Sequence, residues 1–268
     1  MKITFLGAGN IARAIIRGLI ANGTPAGDIT AADPMQSARD EAEKLGINVA
    51  MDNRRAIRHA DVVMIAVKPN LVQKIAKEIA SSIGQKLLIS VAAGITSRLL
   101  RDSLGSEAHI IRCMPNTPAQ IQSGITGLFA TTVISKTEKG VAERILGAVG
   151  KYIWVNDEED LHAVTAVSGS GPAYFFYIIE ALQKAANQLG LDENLARMLV
   201  IETAIGAAKM TLTETTKTAE QLRREVTSPG GTTAAALSIL EQGDLAGLIS
   251  RAVESANARS IELARDIT

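Results

Sequence analysis

The chain has 268 residues, enough for one large domain or two modest ones, and its 28 basic and 28 acidic residues cancel. That balance excludes an electrostatic partnership with nucleic acid or with an acidic membrane surface. Aromatic residues are 3% against 47% hydrophobic in all, so the apolar mass is aliphatic and suits close-packed helices rather than a platform for stacked bases.

Lys2 to Leu6 reads as a short buried strand, and Gly7-Ala8-Gly9-Asn10-Ile11-Ala12 follows it. These residues form G-x-G-x-x-A and lead into a helix patterned by Ile11, Ile15, Ile16, Leu19 and Ile20. The first glycine makes the tight turn, the second lets a pyrophosphate approach the backbone, and the small third residue lets helix and strand pack closely. A glycine-rich strand–helix turn alone is a weak signal; with strand before and helix after it, the pattern reads as dinucleotide binding. Gly7, Gly9, Asn10, Arg13 and Arg17 also interrupt the apolar run that a secretory signal needs. No segment approaches a membrane span of about 20 apolar residues. A soluble, cytoplasmic protein with no membrane partner is the expectation.

A second strand, Ile29 to Ala32, ends at Asp33, where the acid that reads the adenosine ribose is expected. Asp33 either accepts from the ribose 2′-OH, favouring NADH, or caps the helix after Pro34. It would repel a 2′-phosphate, and Arg39 is the one nearby cation to offset that. The choice between NADPH and NADH therefore stays open.

A helix at 37–45 and a strand at 47–50 come next, and Asn53 begins a polar helical turn. The strongest strand is Val62 to Val67, β-branched and unbroken as a central parallel strand should be. It runs into Lys68-Pro69-Asn70, a loop at the carboxyl edge of the sheet, where doubly wound folds bind their ligands. A helix at 71–83 leads to a strand at 87–91 that ends in Ala92-Ala93-Gly94, small enough for a nicotinamide ribose to lie against the backbone. A helix at 97–104 leads to a strand at 109–112 and the stiff Met114-Pro115-Asn116-Thr117-Pro118 loop, whose Asn116 and Thr117 offer hydrogen-bonding groups. The single cysteine, Cys113, rules out an internal disulfide and fits a reducing compartment. It has no His or Cys ligand pattern around it, so it reads as a structural thiol, and no metal site is expected. A strand at 124–130, a helix at 137–149 and a strand at 152–155 complete the sheet.

After Asn156 the strand signals stop. Ser168-Gly169-Ser170-Gly171-Pro172 opens a helix at 173–189, another spans 195–212, and a third carries Leu245, Leu248, Ile249, Ala252, Val253 and Ala256 on one face. The first two are apolar on most faces and need more to bury them than this half of the chain supplies, so oligomerisation through it follows. Between the second and the third lies Val226-Thr227-Ser228-Pro229-Gly230-Gly231-Thr232-Thr233, a proline–glycine turn before an alanine-rich helix. It is either a capped turn or an anion seat on the free N–H groups of a helix N-terminus.

The chain resembles the pyrroline-5-carboxylate reductase family, which reduces a cyclic imine to L-proline with NADPH or NADH. The resemblance runs nearly end to end and rests on Gly7–Ala12, Ala66-Val67-Lys68-Pro69, Ala92-Ala93-Gly94, the segments at 112–118 and 168–174, and above all Val226–Thr233. It implies an α/β fold. Residues 1–157 would form a Rossmann-like doubly wound sheet, and residues 158–268 an all-α domain for substrate binding and dimerisation. Gly7 to Ala12 would hold the pyrophosphate, Asn53 would reach the adenosine side, and Ala66–Pro69 with Ala92–Gly94 would line the cofactor. Ser228, Gly230, Gly231 and Thr232 would bind the substrate carboxylate, with the Thr233 hydroxyl at the ring nitrogen and Glu158, rather than Glu159, beside the amine. A homodimer through the C-terminal helices is implied, with a higher oligomer such as a decamer left open. The sequence departs from the family at His162, where members often carry Asp, and at Asp33, where many carry a small hydroxyl residue. The second departure points to less NADPH bias than usual.

Two rivals are weaker. A β-hydroxyacid dehydrogenase places a lysine base soon after a glycine-rich turn into a helix, and residues 173–183 contain no lysine. A nucleotide-sensing regulator would keep the glycine motif but have no use for the 226–233 turn.

Overall fold

The computed structural model describes residues 1–267. It divides into two compact units, one made of residues 1–170 together with the end of the chain from Ser255, the other of residues 171–254.

In the first unit, eight strands form one sheet in the order β3-β2-β1-β4-β5-β6-β7-β8. They are β1 (Ile3–Leu6), β2 (Ile29–Ala32), β3 (Asn48–Ala50), β4 (Val62–Ile65), β5 (Leu87–Ser90), β6 (Ile110–Pro115), β7 (Gly124–Ala130) and β8 (Gly150–Trp154). Strands β1 to β6 pair in parallel, β7 runs antiparallel to β6, and β8 returns parallel to β7. The sequence pattern stops the sixth strand at Arg112, but it continues to Pro115 because antiparallel pairing with β7 carries Cys113, Met114 and Pro115 into the ladder. Pro115 lies at the strand's end, where its missing N–H is tolerated.

Helices cover both faces, which explains why the central strands are apolar at every position. Ile3, Phe5, Val62 and Met64 point to one side, under α1 (Asn10–Ala21), α2 (Gln36–Glu43) and α6 (Lys136–Gly147). Leu6, Val63, Ile65 and Leu88 point to the other, under α3 (Asn53–Ile57), α4 (Pro69–Ile83) and α5 (Ser97–Leu104). Cys113 is buried and donates to the Ser90 carbonyl at 3.4 Å; burial pushes its thiol up, out of the reactive range.

Residues 160–164 form α7, and residues 165–169 wind as a π turn in which Ser170 N–H reaches back to the Thr165 carbonyl at 2.8 Å. The second unit holds α8 (Gly171–Gln188), α9 (Glu193–Thr213), α10 (Ala219–Glu225) and α11 (Thr232–Gln242). The last helix, α12 (Leu245–Ile267), begins in the second unit and ends in the first. Gly171, Ala196 and Leu222 are the buried positions between 171 and 254. Phe175 (68% exposed), Phe176 (65%) and Tyr177 (72%) face outward. No helix among the described residues is long and apolar enough to cross a membrane.

Candidate active site

Parallel register gathers the expected cofactor residues at one edge of the sheet. Leu6 is level with Ala32 and with Ile65, and Ile65 with Ser90, so the segments after β1, β2, β4 and β5 start side by side. They are stitched together by main-chain bonds: Gly7 N–H to the Ala32 carbonyl (2.7 Å), Ala66 N–H to Leu6 (2.8 Å) and Val91 N–H to Ile65 (3.0 Å). Gly7 sits at φ +100°, and a Cβ there would lie 2.5 Å from the Ala66 carbonyl oxygen. Only glycine allows that approach.

Gly9 is the N-cap of α1 and has no side-chain cap. An added Cβ would meet nothing within 4 Å, so the space beside Gly9 at the start of α1 is open. Ala8 and Ala12 are buried, Ile11 is half-buried, and Gly9 and Asn10 are exposed. An uncapped helix N-terminus behind a Cβ-free opening fits a dinucleotide pyrophosphate.

Asp33 is engaged by backbone. One carboxylate oxygen accepts from Ala8 N–H at 2.9 Å and the other from Met35 N–H at 2.9 Å. The N-cap of α2 is Met35, with no side-chain cap, so of the two alternatives for Asp33 the helix cap falls away: its carboxylate ties the glycine loop to the end of β2. Arg39 donates to the Asp33 carbonyl at 2.6 Å. Asn53 opens α3, is half-buried, and donates to the Glu78 carboxylate at 3.2 Å. Lys68 is the exposed N-cap of α4, with Pro69 at the first helical position. Val67 is half-buried against Gly7.

Ala92 and Gly94 are buried and Ala93 is half-buried. Gly94 has φ +73°, and a Cβ on it would stand 3.5 Å from the backbone of Ala264, so the last turns of α12 pack against this loop. Asn116 accepts from Ile125 N–H at 2.9 Å, bracing its own loop against β7.

The resemblance places Glu158 beside the substrate amine; in the structure its carboxylate is taken up within its own unit. One oxygen accepts from Ser97 N–H (2.5 Å) and from Arg112 Nη1 (2.6 Å), the other from Ser97 Oγ (2.6 Å). Burial alone would raise its pKa, but the Ser97 bonds and the Arg112 charge outweigh it and hold the carboxyl below its ordinary value. Neither Ser97 nor Arg112 stands out in the helix and strand patterns. The available signal was the arginine itself, charged and sitting in an apolar strand, which requires a buried acceptor. Glu159 is exposed, 3.6 Å from His162 Nε2. His162 is buried and bonds through Nδ1 to Ser260 Oγ of α12 at 2.8 Å. Burial lowers its pKa and Arg112 adds to that, against the opposing pull of Glu159 and Glu158.

In the second unit, Ser228-Pro229-Gly230-Gly231 forms a turn closed by Gly231 N–H to the Ser228 carbonyl at 3.0 Å, with Gly230 at φ +72°. Proline at the second corner and a positive φ at the third make this a type II turn. It delivers the chain to α11, whose N-cap is Gly231 with no side-chain bond. Thr232 and Thr233 are the first two helical residues, the first exposed and the second half-buried. The helix is therefore capped by glycine and not by a threonine, and Thr233 lies inside its first turn. An uncapped helix start with a hydroxyl in its first turn can take a carboxylate on its N–H groups and a polar hydrogen at the hydroxyl.

A groove of about 530 Å³ lies elsewhere, beside α3 between Lys2, Thr30, Asn48, Arg55 and His59, and contains no expected site residue. No group of three or more His, Cys, Asp or Glu among the described residues is placed to hold a metal ion.

Residues 2–94 match a family described as NADP oxidoreductase, coenzyme F420-dependent, and residues 158–263 match one described as pyrroline-5-carboxylate reductase dimerisation. Over 99% of its length, and 98% of the relative's, the chain is 42% identical to the pyrroline-5-carboxylate reductase of Pseudomonas aeruginosa. The chain belongs to the pyrroline-5-carboxylate reductase family. A solved pyrroline-5-carboxylate reductase from Coxiella burnetii superposes with a TM-score of 0.92 at 44% identity, with 98% of each chain covered. A pyrroline carboxylate reductase from Plasmodium falciparum, solved with NADP bound, superposes with a TM-score of 0.91 at 29% identity, again over 98% of each chain. The glycine-rich loop, the 92–94 loop and the turn at 228–231 thus lie within the span these members share.

Proposed function

We propose that this chain reduces 1-pyrroline-5-carboxylate to L-proline by hydride transfer from NAD(P)H, the last step of proline biosynthesis. The observation that carries the reading is end-to-end family membership in a chain that has both an open glycine loop at α1 and an uncapped helix start at Thr232–Thr233.

When bound, the reduced nicotinamide supplies the hydride. The pyrophosphate sits on Gly7 to Ala12 at the N-terminus of α1, Asn53 serves the adenosine side, and Ala66–Pro69 and Ala92–Gly94 line the remainder. Asp33 has lone pairs left after bonding Ala8 and Met35 and accepts from a ribose 2′-OH, while its charge opposes a 2′-phosphate. NADPH is accordingly favoured less than usual over NADH. In the second unit, the amides about Ser228, Gly230, Gly231 and Thr232 take the substrate carboxylate, and Thr233 hydrogen-bonds the ring nitrogen.

The chemistry asks little else of the side chains. A protonated imine already carries its nitrogen-bound proton, and the hydride goes to carbon, so product forms without a metal, a nucleophile or a tuned acid. A threonine hydroxyl is too weak an acid to donate outright; Thr233 orients. The outward apolar faces of α8 and α9 are covered in a homodimer, with assembly beyond the dimer, to a decamer, as an extension of it, and the protein works in the cytoplasm.

The test is consumption of NADH and of NADPH with 1-pyrroline-5-carboxylate, with proline identified as product. Turnover is expected with both cofactors. Absence of turnover with either one would sink the reading.

A further inference from the structure

We propose that Glu158 is a positioning residue, which locks the Ala92–Gly94 loop and the start of α5 onto β6, and that it does not meet the substrate. The proposal rests on the reading of that loop as cofactor-lining.

Glu158 bridges segments far apart in the chain. Its carboxylate binds Ser97, 61 residues away, through both the amide and the hydroxyl, and Arg112, 46 residues away, through the guanidinium. Ser97 is the first residue of α5, three positions after Gly94, so the carboxylate sits on a helix N-terminus, where negative charge is favoured. Arg112 is 6% exposed in β6, and a buried guanidinium left without its carboxylate is strongly destabilising. Glu158 cannot swing to a substrate amine without stranding Arg112 and opening the start of α5.

The other side of the loop is held too. Gly94 lies against Ala264 of α12, and one helical turn after Glu158 the buried His162 bonds Ser260 of the same helix. The segment 158–162 therefore fastens β6 and α5 at one end and α12 at the other, with the Ala92–Gly94 loop between them. A carboxyl held below its ordinary pKa is ionised at neutral pH, which suits a clamp and not a proton donor.

Three variants test this: Glu158→Ala, Glu158→Gln and Ser97→Ala. The readouts are Kd for NADPH and NADH by fluorescence titration, kcat and KM for each substrate, and Tm. Glu158→Ala should raise Kd and KM for the dinucleotide about tenfold, while KM for 1-pyrroline-5-carboxylate stays within about twofold. Glu158→Gln should recover part of the loss, because its carboxamide oxygen still accepts from Ser97 N–H. Ser97→Ala should shift the same quantity the same way, by about threefold. Equal damage in Ala and Gln, confined to kcat/KM for 1-pyrroline-5-carboxylate with dinucleotide Kd unchanged, would place Glu158 at the substrate and overturn the proposal. So would variants whose Tm falls while Kd measured well below it does not move. Should Glu158→Ala fail to fold, Ser97→Ala decides alone. If the wild-type chain binds dinucleotide but reduces no 1-pyrroline-5-carboxylate, the functional reading fails, while the Kd comparison still tests the clamp.

Discussion

Gly7 and Gly9 stand two positions apart and respond oppositely to alanine. At Gly7 the new Cβ meets backbone on the neighbouring segment: 2.5 Å from the Ala66 oxygen and 2.9 Å from its carbonyl carbon. The left-handed φ costs an L-residue roughly 1–2 kcal/mol. Pushing Ala66 away weakens Gly7 N–H to Ala32 and Ala66 N–H to Leu6, at about 1 kcal/mol each. The sum is about 3–4 kcal/mol, or a Tm lower by roughly 6–16 °C for a chain of this size. At Gly9, φ is −71° and the Cβ meets nothing, so Gly9→Ala should leave Tm within a degree or two or raise it slightly. That methyl group stands in the opening at the N-terminus of α1, and NADPH Kd should rise about tenfold or more. Thermal melts and fluorescence titrations on the two variants check both halves. A Gly9→Ala protein that binds dinucleotide as the wild type does would refute the placement of the pyrophosphate, whatever happens at Gly7.

Thr233→Ala should lower kcat/KM for 1-pyrroline-5-carboxylate by about 10–100-fold through loss of one bond to a charged nitrogen, with Tm and dinucleotide Kd unchanged; unaltered steady-state kinetics would remove Thr233 from the site. Burial lowers the pKa of His162, so its contribution to stability is present above the unfolded value of about 6.5 and is lost as pH falls from there toward the folded value. Wild-type Tm should therefore drop between about pH 7 and pH 5 and His162→Gln should flatten that slope, well above the carboxylate range in which Glu158 is lost; parallel curves for the two proteins would remove His162 as the cause. Stability of the helical unit should rise with protein concentration, and melts that coincide over a hundredfold dilution series would contradict its dependence on a second copy.

The strands and the glycine loop were legible because their signals are local. Val62 to Ile65 alternates between two buried faces, and Gly7 to Ala12 needs only its own flanks to be recognised. The extension of β6 past Arg112 depends on pairing with β7 and is invisible in β6 itself. Helix α10 escaped the apolar pattern, although Thr218 and Gln221 form a reciprocal capping box that marks its start. The π turn at 165–169 has no pattern of its own. Asp33 was legible as an acid at the right spacing, but its grip on Ala8 N–H arises from two loops meeting at the sheet edge. For Glu158, sequence gave a position and a charge but not the partners. Ser97 and Arg112 are brought to it only by the stacking of β5, β6 and the segment after β8.

The second unit raises a further physical question, because it has almost no interior. From 171 to 254 the chain buries Gly171, Ala196 and Leu222, while Phe175, Phe176, Tyr177, Met198 and Leu199 stay open to solvent. Each such side chain contributes about 1.5–3 kcal/mol when covered, and fixing each backbone residue costs about 1–2 kcal/mol. Helices with so little to pack against cannot offset that ordering cost alone. A second copy would present the same apolar faces and could cover them mutually, in keeping with the match of residues 158–263 to a dimerisation family. The turn at Ser228–Gly231 and the helix start at Thr233 lie within this unit, so if they hold the substrate as proposed, substrate binding and assembly share one free energy. Dilution that separates the copies should then abolish imine reduction while dinucleotide binding by the first unit, which has its own core, persists.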